Sequence, residues 1–140
     1  MTKEFIYTII RQHHLAVLAT SSTGMQPQAA LVGFAVTEDL EIVFDTVRTS
    51  RKYANLSAHP RAALVIGWEN ETTVQYEGIA RELRAEQDDD TYREVYYSVF
   101  PEGRQRTADW LQLTHFVIRP QWIRYSNFND PSIIEELSFP

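Results

Sequence analysis

Short apolar blocks separated by polar turns fill most of the chain, and only a few stretches repeat with helical spacing. Phe5, Ile6, Ile9 and Ile10 recur on one helical side behind Thr2, a good capping residue, which predicts a packing helix. His14 to Thr20 (HLAVLAT) is a short apolar run that suits a strand buried on both faces. Turn chemistry at Ser22-Thr23-Gly24 leads to Gln26 to Val36 (QPQAALVGFAV), a second strand in which small residues gather at Ala29, Ala30 and Gly33. Small side chains there let another backbone or a flat ligand come close. Leu40 to Thr46 (LEIVFDT), Arg61 to Trp68 (RAALVIGW) and Thr72 to Arg84 (TTVQYEGIARELR) read as the third to fifth strands, with Gly78 at a bulge or bend.

Ser50 to Pro60 reads as a short helix. Tyr53, Leu56, Ala54 and Ala58 share a face, Thr49 or Ser50 caps it, and Pro60 stops it. A second clear helix runs from Asp88 to about Phe100, where Tyr92, Val95, Tyr96 and Val99 take the spacing of core packing. Arg104 to Asp109 fits either a loop or a short helix. Leu111 to Arg119 (LQLTHFVIR) and Trp122 to Asn127 (WIRYSN) read as the last two strands, split by Pro120, before a weakly docked tail from Asp130. Six or seven strands with short turns and few helices predict a mainly β (α+β) fold, an antiparallel barrel with peripheral helices.

Composition narrows this further. With 140 residues, 44% hydrophobic and 23% charged, residues 1–140 read as a single globular domain. The net charge of -6 argues against nucleic acid or an anionic membrane as the main partner. No apolar run reaches membrane-spanning length, no signal-peptide core stands at the start, and cysteine is absent, so a cytoplasmic setting is expected. The glycines fit neither a dinucleotide fingerprint nor a phosphate loop, and no Gly-x-Ser-x-Gly elbow occurs. His13 and His14 point apart, while His59 and His115 are isolated, so no metal site is expected. Nothing here marks a catalytic acid or base.

One stretch breaks a rule. Arg51 and Lys52 occupy the first turn of the helix that Ser50 opens, with Arg48 just outside, although that end already carries positive charge. Each such cation costs about 0.3–1 kcal/mol unless an anion neutralises it. Two readings compete: the cations snorkel to Glu38, Asp39 or Asp45, or a phosphate sits among the hydroxyls, the cations and the free N–H groups. The other helix, opening with Asp88-Asp89-Asp90, carries the sign the dipole prefers.

Phe44 to Trp68 (FDTVRTSRKYANLSAHPRAALVIGW) resembles the pyridoxamine 5'-phosphate oxidase-like family of FMN-binding split barrels. A strand ending in Thr, then Ser-Arg-Lys opening a helix, Asn-Leu, a Pro and an apolar strand carry the resemblance. QPQAALVGFAV and TTVQYEGIARE match the order on either side. The resemblance implies a six- to seven-stranded antiparallel split β-barrel, a homodimer with FMN at its interface, and flavin-dependent oxidoreductase chemistry on a small-molecule substrate. By position, Ser50, Arg51 and Lys52 would hold the FMN phosphate, with Asp45 and Thr46 beside the flavin. Ala30, Leu31 and Val32 would line its ring with backbone groups, and Thr73, or Gln75 in its stead, would reach the partner's flavin. Departures are equally specific. The oxidases carry an arginine where Ala30 stands, a substrate-phosphate lysine where Ala35 stands and a tryptophan where Ser126 stands, and their C-terminal Arg-Leu-His-Asp-Arg type motif is missing. The expectation is therefore a flavoprotein that is not a true pyridoxamine phosphate oxidase. Deazaflavin and haem are the alternative ligands, and a non-catalytic flavin-storing or stress-response module is the alternative role.

Overall fold

In a computed structural model that describes residues 1–85 and 87–140, seven strands and four helices follow one another. They are α1 (Lys3–Ile10), β1 (Leu15–Ser21), β2 (Pro27–Val36), β3 (Ile42–Val47), α2 (Arg51–Ala58), β4 (Arg61–Ile66) and β5 (Thr72–Glu82), then α3 (Asp90–Val99), α4 (Gly103–Asp109), β6 (Leu113–Asn127) and β7 (Ile133–Ser138). The strands lie in the order β3-β2-β1-β4-β5-β6, and β6 returns to β3, which closes a six-stranded antiparallel barrel with β7 added alongside β6.

Two expectations about the C-terminal third change. Pro120 does not divide two strands, because β6 is continuous over 15 residues. Residues 113–118 pair with β3 and residues 122–127 with β7, so Pro120 falls where one ladder has ended and the next has not begun, a place where its missing N–H is tolerated. On the other side Glu77 faces Trp122 and Gly78 faces Pro120, so the bulge residue is Gln121. Gly78 is needed there, since a Cβ would lie 2.3 Å from the Arg119 carbonyl oxygen. The tail is not a loose appendage either. Its residues 133–138 form β7, and Leu137 and Phe139 pack against the core.

Inside the barrel, Phe34, Phe44, Phe116 and Tyr76 are buried, with Phe44 stacked on Phe116 at 5.6 Å. The Tyr76 hydroxyl reaches the Leu40 and Ile118 carbonyl oxygens at 2.8 and 2.9 Å. Ile6 and Ile10 of α1 join this core, as their spacing predicts. A second, outer core forms where Tyr96 and Tyr97 of α3 cover Ala35, Val43 and Val117. The α3 stripe is packing, as expected.

The aspartates before α3 correct the sequence reading. Asp88 and Asp89 lie in a short 3-10 turn, and the Asp89 side chain makes no cap. It accepts two hydrogen bonds from Arg81, at 2.8 and 3.1 Å, and one from the Arg84 backbone N–H, which together hold its carboxyl down at about 2. Strand β1 also differs: Ala16, Leu18 and Thr20 are buried, but on the outward face Leu15 is exposed and Val17 and Ala19 are only half-buried within one chain.

Candidate functional site

The ladder between β2 and β3 holds only the pairs Phe34–Phe44, Ala35–Val43 and Val36–Ile42. Beyond them the strands part. Residues 27–33 keep only β1 as a ladder partner, and residues 45–47 keep only β6, so among the described residues two backbone edges face each other without partners. Unpaired strand edges offer N–H and C=O groups to a ligand. Helix α2 starts at the foot of this split.

Local chemistry sets that start. Ser50 is extended (φ -77, ψ 157), its hydroxyl accepts from the Tyr53 N–H at 3.2 Å, and its Oγ lies 2.8 Å from Thr46 Oγ1. Asn55, which the sequence reading quoted within the family pattern but gave no role, is buried and donates to Thr20 Oγ1 at 3.0 Å and Gln28 Oε1 at 2.7 Å. Leu56 enters the core as expected, whereas Ala54 and Ala58 are exposed. The helix is thereby tied to the inner side of β1 and β2.

The three cations of the stretch separate. Arg48 binds Glu82 at 3.1 Å and the Leu111 carbonyl at 3.2 Å, so it is spoken for. Burial opposes the charge of Glu82, but hydrogen bonds from Thr114 and Tyr53, together with Arg48, outweigh it and hold its carboxyl below the ordinary value. Arg51 and Lys52 make no ion pair or hydrogen bond among the described residues. Asp39 is taken by Lys3 at 2.7 Å, and Asp45 feels Lys52 only as a more distant charge. Arg51 and Lys52 instead line a cleft of about 270 Å³ together with Leu18, Thr20, Gln28, Ala29 and Ala30. Snorkelling to a carboxylate is thus not what these two side chains do.

The remaining expected residues fall into two groups. Val32 points into the barrel core and Leu31 points outward, 61% exposed, so what they share with Ala30 is the free backbone edge. Thr46 turns inward to Ser50, whereas Asp45 lies on the opposite face of β3. Thr73 and Gln75 stand on β5, separated from β2 by β1 and β4, and within one chain they do not meet the cleft. Thr73 Oγ1 is buried without a hydrogen-bond partner among the described residues.

A profile of a known family, pyridoxamine 5'-phosphate oxidase, matches residues 2–127. The chain belongs to the pyridoxamine 5'-phosphate oxidase family. Among curated members of that family, a pyridoxine/pyridoxamine 5'-phosphate oxidase of Thermosynechococcus vestitus is 41% identical over 94 residues, covering 66% of this chain and 42% of the relative. One from Burkholderia lata is 34% identical over 109 residues, covering 77% of this chain and 48% of the relative. The match thus spans less than half of these relatives' length. Solved structures extend the likeness of fold. A heme-binding protein from Mycobacterium smegmatis aligns with a TM-score of 0.82 at 19% identity, covering 97% of this chain and 57% of that one. General Stress Protein 26 of Bacillus anthracis aligns at 0.71 with 23% identity, covering 98% of each chain.

For a member of the pyridoxamine 5'-phosphate oxidase family, the ligand that the resemblance implies is FMN, and the residues present fit it. Two unpaired cations and a helix N-terminus suit a phosphate, and the free edges of the split suit a polar ring. A cleft of about 270 Å³ is small for a whole mononucleotide, since ligand pockets usually run from about 300 to 1,000 Å³. The outward face of β2, β1 and β4, with Leu31, Val17 and Val65 in one cross-strand row, is an apolar surface on which a further wall can sit.

Proposed function

We propose that this protein is an FMN-binding flavoprotein that works as a homodimer, with its flavin sites at the interface, and that it is a small oxidoreductase. The observation that carries the reading is that Arg51 and Lys52, at the positive end of α2, have no ion-pair or hydrogen-bond partner among the described residues. An uncompensated pair there is stabilised by an anion, and a phosphate supplies one. Ser50 contributes its hydroxyl and the first-turn N–H groups, while Ala30, Leu31 and Val32 offer an open backbone edge to the ring. Thr73, whose hydroxyl lacks a partner, and Gln75 lie on the outward sheet face, where a second copy brings them to its neighbour's site. Bound flavin supplies two-electron chemistry; the chain supplies grip, orientation and exclusion of water.

The substrate is not a phosphorylated B6 vitamer on this reading. Where the oxidases use a lysine, Ala35 is buried beneath Tyr96 and Tyr97, and Phe100 packs over Gly33 beside it, 2.9 Å from where a Cβ would stand. Purified protein should be yellow and release FMN on denaturation, and the double variant Arg51→Ala/Lys52→Ala should come off the column colourless yet folded. The wild-type holoprotein should leave pyridoxine 5'-phosphate unconverted. A colourless wild type that takes up no added FMN, or brisk turnover of that phosphate, contradicts this account.

A deazaflavin would use the same phosphate grip, and its absorbance spectrum differs from that of FMN. Haem is the second reading, favoured by the fold shared with the heme-binding protein of Mycobacterium smegmatis and with a heme storage protein of Vibrio cholerae (TM-score 0.72, 16% identity). Against it, the cleft lining holds no histidine among the described residues.

A further inference from the structure

A second cavity, of about 610 Å³, lies between the C-terminal end of α1, the end of β2 and α3. It is more than twice the size of the cleft at Arg51 and Lys52, shares no lining residue with it, and falls inside the usual range for a ligand pocket. Phe34 and Val36 of β2 and Val95 and Val99 of α3 supply the apolar part of its lining. Arg11, the residue that ends α1, and Glu38, in the turn between β2 and β3, also line it. That turn is well tied. Thr37 and Glu41 are joined by a backbone bond of 2.9 Å, the Glu41 N–H reaches the Thr37 hydroxyl at 3.1 Å, and Leu40 is buried in the core.

The charges around this cavity sort by partner. Lys3 of α1 is paired with Asp39 at 2.7 Å, and Glu41 accepts from Thr37 at 3.2 Å and from Tyr92 at 2.6 Å. Arg11 lies over the Tyr7 ring at 5.5 Å, and neither its guanidinium nor the Glu38 carboxylate has an ion pair or side-chain hydrogen bond among the described residues. The two left-over charges thus stand in one cavity wall, are of opposite sign, and do not meet each other. A simple anion there would gain Arg11 but face Glu38, and a simple cation the reverse. A molecule carrying both charges answers both side chains. We propose that this cavity binds a small zwitterion with an apolar body, the class to which amino acids with large apolar side chains belong. Its carboxylate takes hydrogen bonds from Arg11, its ammonium donates to Glu38, and its apolar body lies against Phe34, Val95 and Val99. The assignment is independent of the flavin reading.

Titration calorimetry of the protein as purified tests it with three probes: L-tryptophan, indole-3-propionate, which lacks the ammonium, and tryptamine, which lacks the carboxylate. L-Tryptophan should bind saturably, and each truncated probe about fivefold or more weakly, since each loses a hydrogen bond to a charged group. Arg11→Gln should remove the preference over tryptamine and Glu38→Gln that over indole-3-propionate, each leaving the other preference in place. Both side chains are exposed, so both variants should keep the wild-type thermal midpoint within about 3 °C. Indole-3-propionate binding as tightly as L-tryptophan would make this an anion site, and tryptamine doing so a cation site. Either result overturns the proposal, as does a wild type that binds none of the three, and none of them bears on FMN.

Discussion

His115 shows how one buried side chain turns an environment into a measurable property. It sits 2% exposed against the rings of Tyr96 and Tyr97, and burial, with a smaller push from Arg93, lowers its pKa from 6.5 to about 4. The unfolded chain therefore takes up a proton at higher pH than the folded one. The stabilisation is complete above pH 6.5 and shrinks as pH falls towards 4, by about 2 kcal/mol at pH 5. Asp45 acts in the opposite sense, because burial raises its pKa and the folded state keeps its proton longer, which offsets part of the loss at the acid end. Urea midpoints at pH 7 and pH 5 should differ clearly for the wild type and much less for His115→Phe. An unchanged difference in that variant would place the acid sensitivity elsewhere. From sequence His115 is an isolated histidine in an apolar run, and its burial is visible only once α3 lies over β6. Ser50 is the contrary case: a cap is a local bond, and its position beside Arg51 and Lys52 was legible directly.

At the scale of elements, α2 is a weak helix that its neighbours hold in place. It has eight residues, buries only Asn55 and Leu56, and carries its cations at the unfavourable end. Isolated helices of this length are marginal in water. The Asn55 amide, bonded to β1 and β2, and the Thr46–Ser50 contact supply what the helix lacks. Asn55→Ala leaves the polar side chains of Thr20 and Gln28 without their partner and should cost about 1–3 kcal/mol of stability in urea denaturation. A loss below about 0.5 kcal/mol would mean that water replaces the amide. Period and turn chemistry located nearly every strand and helix, because both act over a few residues. They failed at β6 and β7. Whether Pro120 ends a strand, and whether a polar tail is a strand at all, depends on which neighbours lie alongside.

At the scale of the molecule, the apolar outward face of β1 and its neighbours is left over. HLAVLAT reads as a strand covered on both sides, and one chain buries one face fully and leaves the other half-buried or exposed. On the proposed dimer, a second copy seated on that face would resolve the mismatch and add a wall to the cleft. Val65→Glu puts a charge in the middle of this face, at a position 39% exposed in one chain. It should shift the protein from an apparent dimer to a monomer in size-exclusion chromatography with light scattering. If the flavin sites are shared as proposed, FMN affinity should fall with it. A variant that stays dimeric would move the interface off this face.

Local physics decided much of this protein before any folding. Alternation, turn residues, a serine cap and two cations at the wrong pole are relations between residues a few positions apart, and they outlined both the barrel and an anion-seeking helix start. Tertiary structure decided which charges were free and which were spent. Arg48 meets Glu82 thirty-four positions away, whereas Arg51 and Lys52 meet no carboxylate among the described residues. It also opened the split, because a ladder that stops after Phe34 and Phe44 is a matter of where two distant strands diverge, and no spacing along the chain encodes that distance.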